Sequence, residues 1–287
     1  MEAPIIPVHH LPVRSRIPTR VEHIRPGGQV VRSGVHRHDF HELFFFAQGT
    51  GLHMIDLQQH EVVSPSVHLV APGQVHGLDR SADMEGLVVM FAADAQLGSG
   101  RAAMSELFAH ADNPATFRID SVQLIEAQGL IRSMELELAR MDGPVADVVE
   151  GYLGILLLKC AHWARSARGA ANQRIDINDP VKRFSELVER DFKEHRSVAG
   201  YADQMAISPG HLNELVKKRL GRNASDVIHE RVLLEAKRLL LHADLTVKEV
   251  SHALSMDDPA YFNRMFKKAT GQTPLEYRSS IREKYGR

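Results

Sequence analysis

Two groups of residues in this 287-residue chain have types and spacings suited to chemistry. The first is His36-x-His38-x3-Glu42, with Pro72-Gly-Gln-Val-His76 further along. Three neutral imidazoles and one carboxylate suit iron, manganese, nickel or zinc, and alternate residues of a strand point to the same side. The same four residues would equally serve an organic effector in an enclosed pocket. The second group is a repeat: Ser208-Pro-Gly-His-Leu-Asn-Glu-Leu-Val-Lys-Lys218 lines up fifty residues later with Asp258-Pro-Ala-Tyr-Phe-Asn-Arg-Met-Phe-Lys-Lys268. Pro209, Asn213, Lys217, Lys218 and Gly221 recur as Pro259, Asn263, Lys267, Lys268 and Gly271. Asn, Arg and Lys presented on a helix can reach base edges and phosphates.

The elements that must position these residues follow from local pattern. Each copy of the repeat opens on Ser208 or Asp258, which can accept free backbone N–H groups, and continues with proline, whose missing N–H costs nothing there. Leu212, Leu215 and Val216, and Phe262, Met265 and Phe266, form an apolar face at helical spacing, with the polar residues opposite. A shorter amphipathic helix precedes each copy, Val198 to Met205 and Val247 to Leu254, at helix-turn-helix spacing. Thr246-Val-Lys-Glu249 and Thr273-Pro-Leu-Glu276 are capping boxes. Between the units, residues 224–241 read as one helix capped by Asn223 and about 27 Å long.

Upstream, short β-prone runs at Leu43 to Phe46, His53 to Leu57, Val67 to Val70 and Gly86 to Phe91 predict a small barrel or sandwich. Leu124, Ala127, Ile131, Met134, Leu138 and Met141 then alternate spacings of three and four. Such a seam suits either pairing with a second copy or packing inside its own domain.

Composition is ordinary for a globular protein, and the length predicts two separate cores. The single cysteine, Cys160, lies in an apolar run and is expected to pack as a small hydrophobe, a usage that suits a reducing cytoplasm. Neither a leader nor a membrane span is read from the pattern. Net charge is −1, but residues 1–174 carry 15 Lys and Arg against 19 Asp and Glu, while 175–287 carry 20 against 17. The phosphate-facing surface is therefore expected near the end of the chain, where seven basic residues from Tyr261 onward meet two acidic ones.

The C-terminal third resembles the AraC/XylS family of bacterial transcription activators over about Val181 to Arg278. Its most specific stretch is Tyr261-Phe-Asn-Arg-Met-Phe-Lys-Lys-Ala-Thr-Gly-Gln-Thr-Pro-Leu-Glu-Tyr-Arg278. The resemblance implies that Gly210, Asn213, Glu214 and Lys217 face the major groove in the first unit, and Ala260, Asn263, Arg264 and Lys267 in the second. Asn then suits adenine, Arg guanine and Glu cytosine, so the second unit is expected to contribute more affinity. Lys218, Lys268, Arg222 and the helix start at Gln272 and Thr273 are expected on phosphates. The family usually has glycine in the tight turn of each unit, where this chain has Ala206 and Ser255, predicting a rearranged or less stable turn.

The histidine stretch resembles the first cupin motif, and Pro72–His76 the second, with Ala71 in place of one proline. In metal-binding cupins the matching residues, here His36, His38, Glu42 and His76, hold a divalent ion. Sensory barrels of the AraC/XylS type often resemble this pattern without one, so an organic effector at the same residues stays open and no cofactor is required.

These readings predict an α+β multidomain protein. An N-terminal arm (1–22) precedes a cupin-like sensory β-barrel (23–95), a helical dimerisation segment (96–165), a linker (166–179) and an all-α DNA-binding domain with two helix-turn-helix units (180–287). The expected function is a cytoplasmic, homodimeric, effector-controlled regulator, an activator, that binds double-stranded promoter DNA and contacts RNA polymerase. The alternative is a cupin-type metal-dependent enzyme with a helical interaction module.

Overall fold

The computed structural model describes residues 8–11, 19–27, 31–32, 34–92, 95–98, 100–108, 115–140, 144–169, 179–242 and 245–284. Most of the expected arm, Met141 of the seam and residues 170–178 of the linker lie outside these. Two compact units are formed, one over Pro7–Ile177 and one over Asn178–Arg287.

The first unit is β-rich. Strands β1 (Val8–His9), β2 (Thr19–Ile24), β3 (Val31–Arg32), β4 (Arg37–His38), β5 (Phe40–Gln48), β6 (Thr50–Ile55), β7 (Gln58–Val63), β8 (Ser66–Val70), β9 (His76–Arg80) and β10 (Glu85–Ala92) precede helix α1 (Gly100–Phe108), and β11 (Thr116–Arg118) follows it. They form a five-stranded sheet in the order β11-β8-β5-β10-β2, a four-stranded sheet in the order β3-β9-β6-β7 and a parallel β1-β4 pair. Strand β2 runs across the arm boundary drawn at residue 22, because its residues pair with Gly86 to Phe91 of β10.

Strand β5 explains how this unit has two cores. Phe40 to Phe46 are all buried, and alternate side chains leave opposite faces of the sheet. Leu43 and Phe45 join Val67, Leu69, Val89 and Phe91 against the helices, whereas Phe40, Phe44 and Phe46 join Ile55, Val70 and Leu78 in the barrel interior. Glu42, between Phe40 and Phe44 in the alternation, belongs to the interior face.

Helices α2 (Ser121–Leu138) and α3 (Val145–Ala167) complete the outer core with α1. Helix α2 starts at a capping box between Asp120 and Gln123. The heptad seam is spent inside this unit: Ala127, Ile131 and Met134 are fully buried in the outer core, with Leu124 and Leu138 packed against it. A dimer contact through that seam is thereby corrected, since the same apolar stripe cannot face two partners. A Cβ on Gly100 would lie 2.5 Å from the Cα of Gly154, so glycine permits the close approach of α1 to α3.

The second unit is all helix: α4 (Pro180–Asp191), α5 (Val198–Gln204), α6 (Pro209–Leu220), α7 (Ala224–His242), α8 (Val247–Ala253), α9 (Pro259–Thr270) and α10 (Pro274–Lys284). One core holds Leu212 and Val216 of α6, Phe262 and Phe266 of α9, and Ile228, Val232 and Leu240 of α7. Ala206 and Ser255 adopt φ of 56° and 54°. The two turns close alike, with Ile207 N–H donating to Ala202 O at 3.0 Å and Met256 N–H to Ser251 O at 2.9 Å. Each turn therefore places a side-chain-bearing residue in a region that costs about 1–2 kcal/mol without glycine.

Candidate nucleic-acid interface and buried histidine cluster

Helices α6 and α9 are built alike. Ser208 accepts from His211 N–H and Asp258 from Ala260 N–H at their starts, proline follows each cap, and Gly221 and Gly271 end them in the left-handed conformation. The apolar faces are buried, so the opposite faces carry the candidate readers. Gly210, His211, Glu214, Lys217 and Lys218 are exposed on α6, and Ala260, Tyr261, Arg264, Lys267 and Lys268 on α9. Arg264 sits 3.6 Å from Asp258 in an exposed pair, whereas Glu214 meets His211 at 3.9 Å. Exposed charges at such separations are weakly held and free to rearrange. His211 and Tyr261 were not singled out from the sequence. The signal was present, since they are repeat partners one residue after Gly210 and Ala260, and Tyr261 is a large aromatic residue left 47% exposed.

Several expected contacts are instead used to hold the unit together. Asn213 Oδ1 accepts Ala224 N–H at 3.0 Å, and Asn263 Nδ2 donates to Pro259 O at 2.8 Å. Both amides are half-buried and engaged within the unit. Arg222 is paired with Glu230. At α10, Thr273 N–H donates to Glu276 Oε2 at 2.7 Å and Gln272 N–H to Thr270 Oγ1 at 3.3 Å, so these amides have partners. The capping hydrogen bonds from Thr273 hold the Glu276 carboxyl below its usual range, which keeps a negative charge where phosphate was expected.

Two arginines to which the sequence assigned no role fix the second unit. Arg196 donates through Nη2 to Leu254 O and, at 2.9 Å, to Ser255 O, bracing the strained turn. Arg278, in the family's Tyr-Arg pair, donates to Leu240 O at 3.0 Å and Leu245 O at 2.6 Å, binding α10 to the end of α7.

In the first unit, the barrel interior collects histidines. His38 Nε2 and His76 Nε2 stand 3.1 Å and 3.4 Å from the same Glu42 oxygen, Oε2. Their ligand atoms all lie within 4.8 Å of one another, and all three residues are buried. These separations would allow hydrogen bonds, yet none of the three atoms has a hydrogen-bond partner. The contacts are thus close without being aligned. His36 does not join them. Its Nδ1 donates to Gly34 O at 2.8 Å, and the backbone bridge between His36 and His76 sets the two rings side by side at 4.3 Å.

The loop that delivers His76 is tied from several sides. Asp56 accepts from Gln74 Nε2 at 2.8 Å and from Val75 N–H at 3.2 Å, Gln74 Oε1 accepts Ala71 N–H at 2.7 Å, and Gly73 N–H donates to His38 O at 2.7 Å. Behind His76, its Nδ1 lies 3.3 Å from His53 Nε2, and His53 Nδ1 lies 3.2 Å from His68 Nδ1. Burial holds His53 and His76 well below the ordinary imidazole range and His68 down to about 3.

Comparison with known proteins assigns both units. Residues 201–280 match the family model of a helix-turn-helix domain, and residues 19–103 that of an AraC-like ligand binding domain. The chain belongs to the AraC family. Among its relatives in that family, the transcriptional activator RhaR of Mannheimia succiniciproducens is 22% identical over 87% of this chain and 88% of its own length. The activator RhaS of Citrobacter koseri is 24% identical over 85% and 86%. Among solved structures, ToxT from Vibrio cholerae O395 aligns over 92% of this chain and 98% of its own at 14% identity, with a TM-score of 0.41. The AraC-family protein is a DNA-binding transcription regulator with a ligand-binding domain, and the enzyme alternative lacks support from these matches. Among the described residues no helix is long and apolar enough to cross a membrane.

Proposed function

We propose that this chain is an effector-controlled transcription activator that binds promoter DNA as a homodimer in the cytoplasm and engages RNA polymerase there. One observation carries the DNA-reading part: two similarly capped helices bury matching apolar faces in one core and expose their polar faces. Ala260, Tyr261, Arg264 and Lys267 read bases in the second helix-turn-helix, and Gly210, His211, Glu214 and Lys217 in the first, with Lys218 and Lys268 on phosphates. RhaR and RhaS are transcriptional activators, which supports the direction of regulation. The match to an AraC-like ligand binding domain supports an effector in the barrel, where His36, His38, Glu42 and His76 are the polar groups available to it.

The dimer contact we assign to the outer side of α2 and α3, in place of the seam. Val122, Ile125 and Ile155 are exposed there, at 63%, 66% and 46%. A groove of about 570 Å³ beside them is lined by Leu158 and Trp163 and flanked by the Glu126–Lys159 ion pair at 2.6 Å. Large apolar side chains left together on a surface mark an interaction site.

Footprinting on promoter fragments selected from random sequence tests the reading. Each subunit is expected to protect two major-groove segments about 10 base pairs apart. Failure to select any sequence, with folded protein, would end it.

A further inference from the structure

We propose that Arg196 sets the placement of one helix-turn-helix relative to the other, and with it the spacing between the two DNA segments that the protein accepts. The spacing part rests on the DNA reading proposed above, while the placement part stands on contacts within the second unit alone.

Arg196 immediately precedes Ser197, which caps α5, the opening helix of the first helix-turn-helix. Its guanidinium reaches a point 58 residues further along the chain, in the second. There Nη2 donates to the carbonyl of Leu254, the C-cap of α8, and at 2.9 Å to that of Ser255 in the turn. Asp258, the cap of the recognition helix α9, follows three residues later. One side chain thus ties the start of the first helix-turn-helix to the turn that delivers the recognition helix of the second.

The two motifs are also joined through α7, against which α6, α8 and α10 pack. A helix of 19 residues is a long lever, and long helices curve, so a small change of packing at one end displaces what is attached at the other. The Arg196 link does not involve α7. It closes a second path between the motifs and removes that freedom.

The chemistry of the side chain suits a clamp better than a filler. One guanidinium nitrogen carries two hydrogens, enough for the two carbonyls of the second motif, and the planar, permanently charged group holds them in fixed directions. The same Nη2 lies 3.4 Å from Lys193 O, just past the end of α4, which steadies the clamp at its own end. Arg196 Nε is buried without a hydrogen-bond partner. Such burial costs free energy, so packing alone would favour an apolar side chain here. An apolar side chain could not hold those two carbonyls. Arg196 is therefore a positioning residue, acting through the turn that it grips.

Spin labels test the placement in the full chain without DNA. Labels on Lys218→Cys and Lys268→Cys, at exposed positions late in α6 and α9, report the distance between the recognition helices, and the buried Cys160 stays unlabelled. The distance distribution should be narrow with Arg196 and broadened or displaced in Arg196→Met, with Arg196→Lys between them. If Arg196→Met does not fold, Arg196→Lys carries the comparison. Val188→Ala, in the core of the same unit, lowers stability without touching the link and should leave the distribution unchanged. Identical distributions with and without Arg196 overturn the proposal.

The spacing is read with a promoter fragment selected from random sequence and with copies carrying one base pair more or fewer between its two protected segments. Each change turns one segment relative to the other by about 35° and moves it by about 3.4 Å. The wild type should bind either copy about 100-fold more weakly than the selected fragment, the order of one or two lost base contacts, and Arg196→Met less than about 10-fold more weakly. Val188→Ala should keep the wild-type ratio, which separates lost placement from lost stability. An Arg196→Met variant with the wild-type ratio overturns the spacing role. Protein that selects no DNA, with distances that answer to Arg196, sinks the DNA-reading proposal alone.

Discussion

Asn213 accepts the backbone N–H of Ala224 at 3.0 Å, so the first recognition helix caps the first turn of the helix that links the two helix-turn-helix motifs. A side chain engaged in this way holds position instead of reading sequence. Asn213→Ala should cost about 0.5–2 kcal/mol, the usual loss of a helix cap, in urea unfolding of the second unit. Affinity for all promoter variants should then shift together. Relaxed preference at a single base pair would return Asn213 to the readers.

Arg264 and Lys268 lie on the same exposed face of α9 but should fail differently. Arg264→Ala should lose about 1–3 kcal/mol and relax specificity at one base pair, where the guanidinium grips guanine by two hydrogen bonds. Lys268→Ala should weaken all sequences alike and reduce the salt dependence of binding by about one unit. Binding isotherms at several salt concentrations with single-base promoter variants distinguish the two. If Glu214→Ala abolishes binding while Arg264→Ala is silent, the first helix-turn-helix is the principal reader.

Ala206 and Ser255 hold the left-handed conformation that the turns require. Glycine there removes the Cβ conflict but adds freedom to the unfolded chain, and the balance should favour the folded state by about 0.5–1 kcal/mol per site. Thermal melts of Ala206→Gly should rise by several degrees. Ser255→Gly should gain similarly, because Arg196 grips the carbonyl of residue 255 and that contact needs no side chain there. A fall in either melt would show that the turn does not carry this strain.

Helix α2 offers a sharper contrast. Ile131, fully buried, should cost about 2–5 kcal/mol on replacement by alanine, with the oligomeric state unchanged at permissive temperature. Val122→Glu with Ile125→Glu, both exposed, should leave stability nearly intact and yield monomers in sedimentation. A wild-type chain already monomeric at micromolar concentration, with and without DNA, removes the assigned dimer face.

Acid should destabilise the first unit. His68 is held down to about 3 by burial, against an ordinary 6.5, so its folded form stays neutral where the unfolded chain binds a proton. Its contribution is complete above about pH 6.5 and is lost as pH falls towards 3. Melting curves from pH 8 to 4 should slope accordingly, and His68→Phe should flatten the slope. An unchanged slope would mean that other groups govern acid stability.

The helices of the second unit were legible in the sequence because their information is local. Caps such as Ser208 and Asp258, prolines after them and apolar spacing each involve neighbours within a turn, and the fifty-residue repeat states them twice. The strands at Leu43, Val67 and Gly86 were legible for the same reason, while β7 and β9, with runs such as Gln58-Gln-His-Glu61, lacked the apolar signature and emerged only through pairing with β6. The metal-binding types were visible as well, but not which of them meet.

What only the tertiary structure decided is where side chains with two suitable partners go. Periodicity cannot tell a seam that faces another subunit from one that faces its own domain, and Ile131 is buried in its own domain's core. An asparagine on a helix suits adenine or a neighbouring backbone amide equally well, and the start of α7 lies near enough to take Asn213. Alternation along a strand sends His36 and His38 the same way, yet the bridge from His36 to His76 sets their rings side by side, and the three atoms that converge belong to His38, Glu42 and His76. These outcomes depend on distances between residues far apart in the chain, which spacing along the chain does not contain.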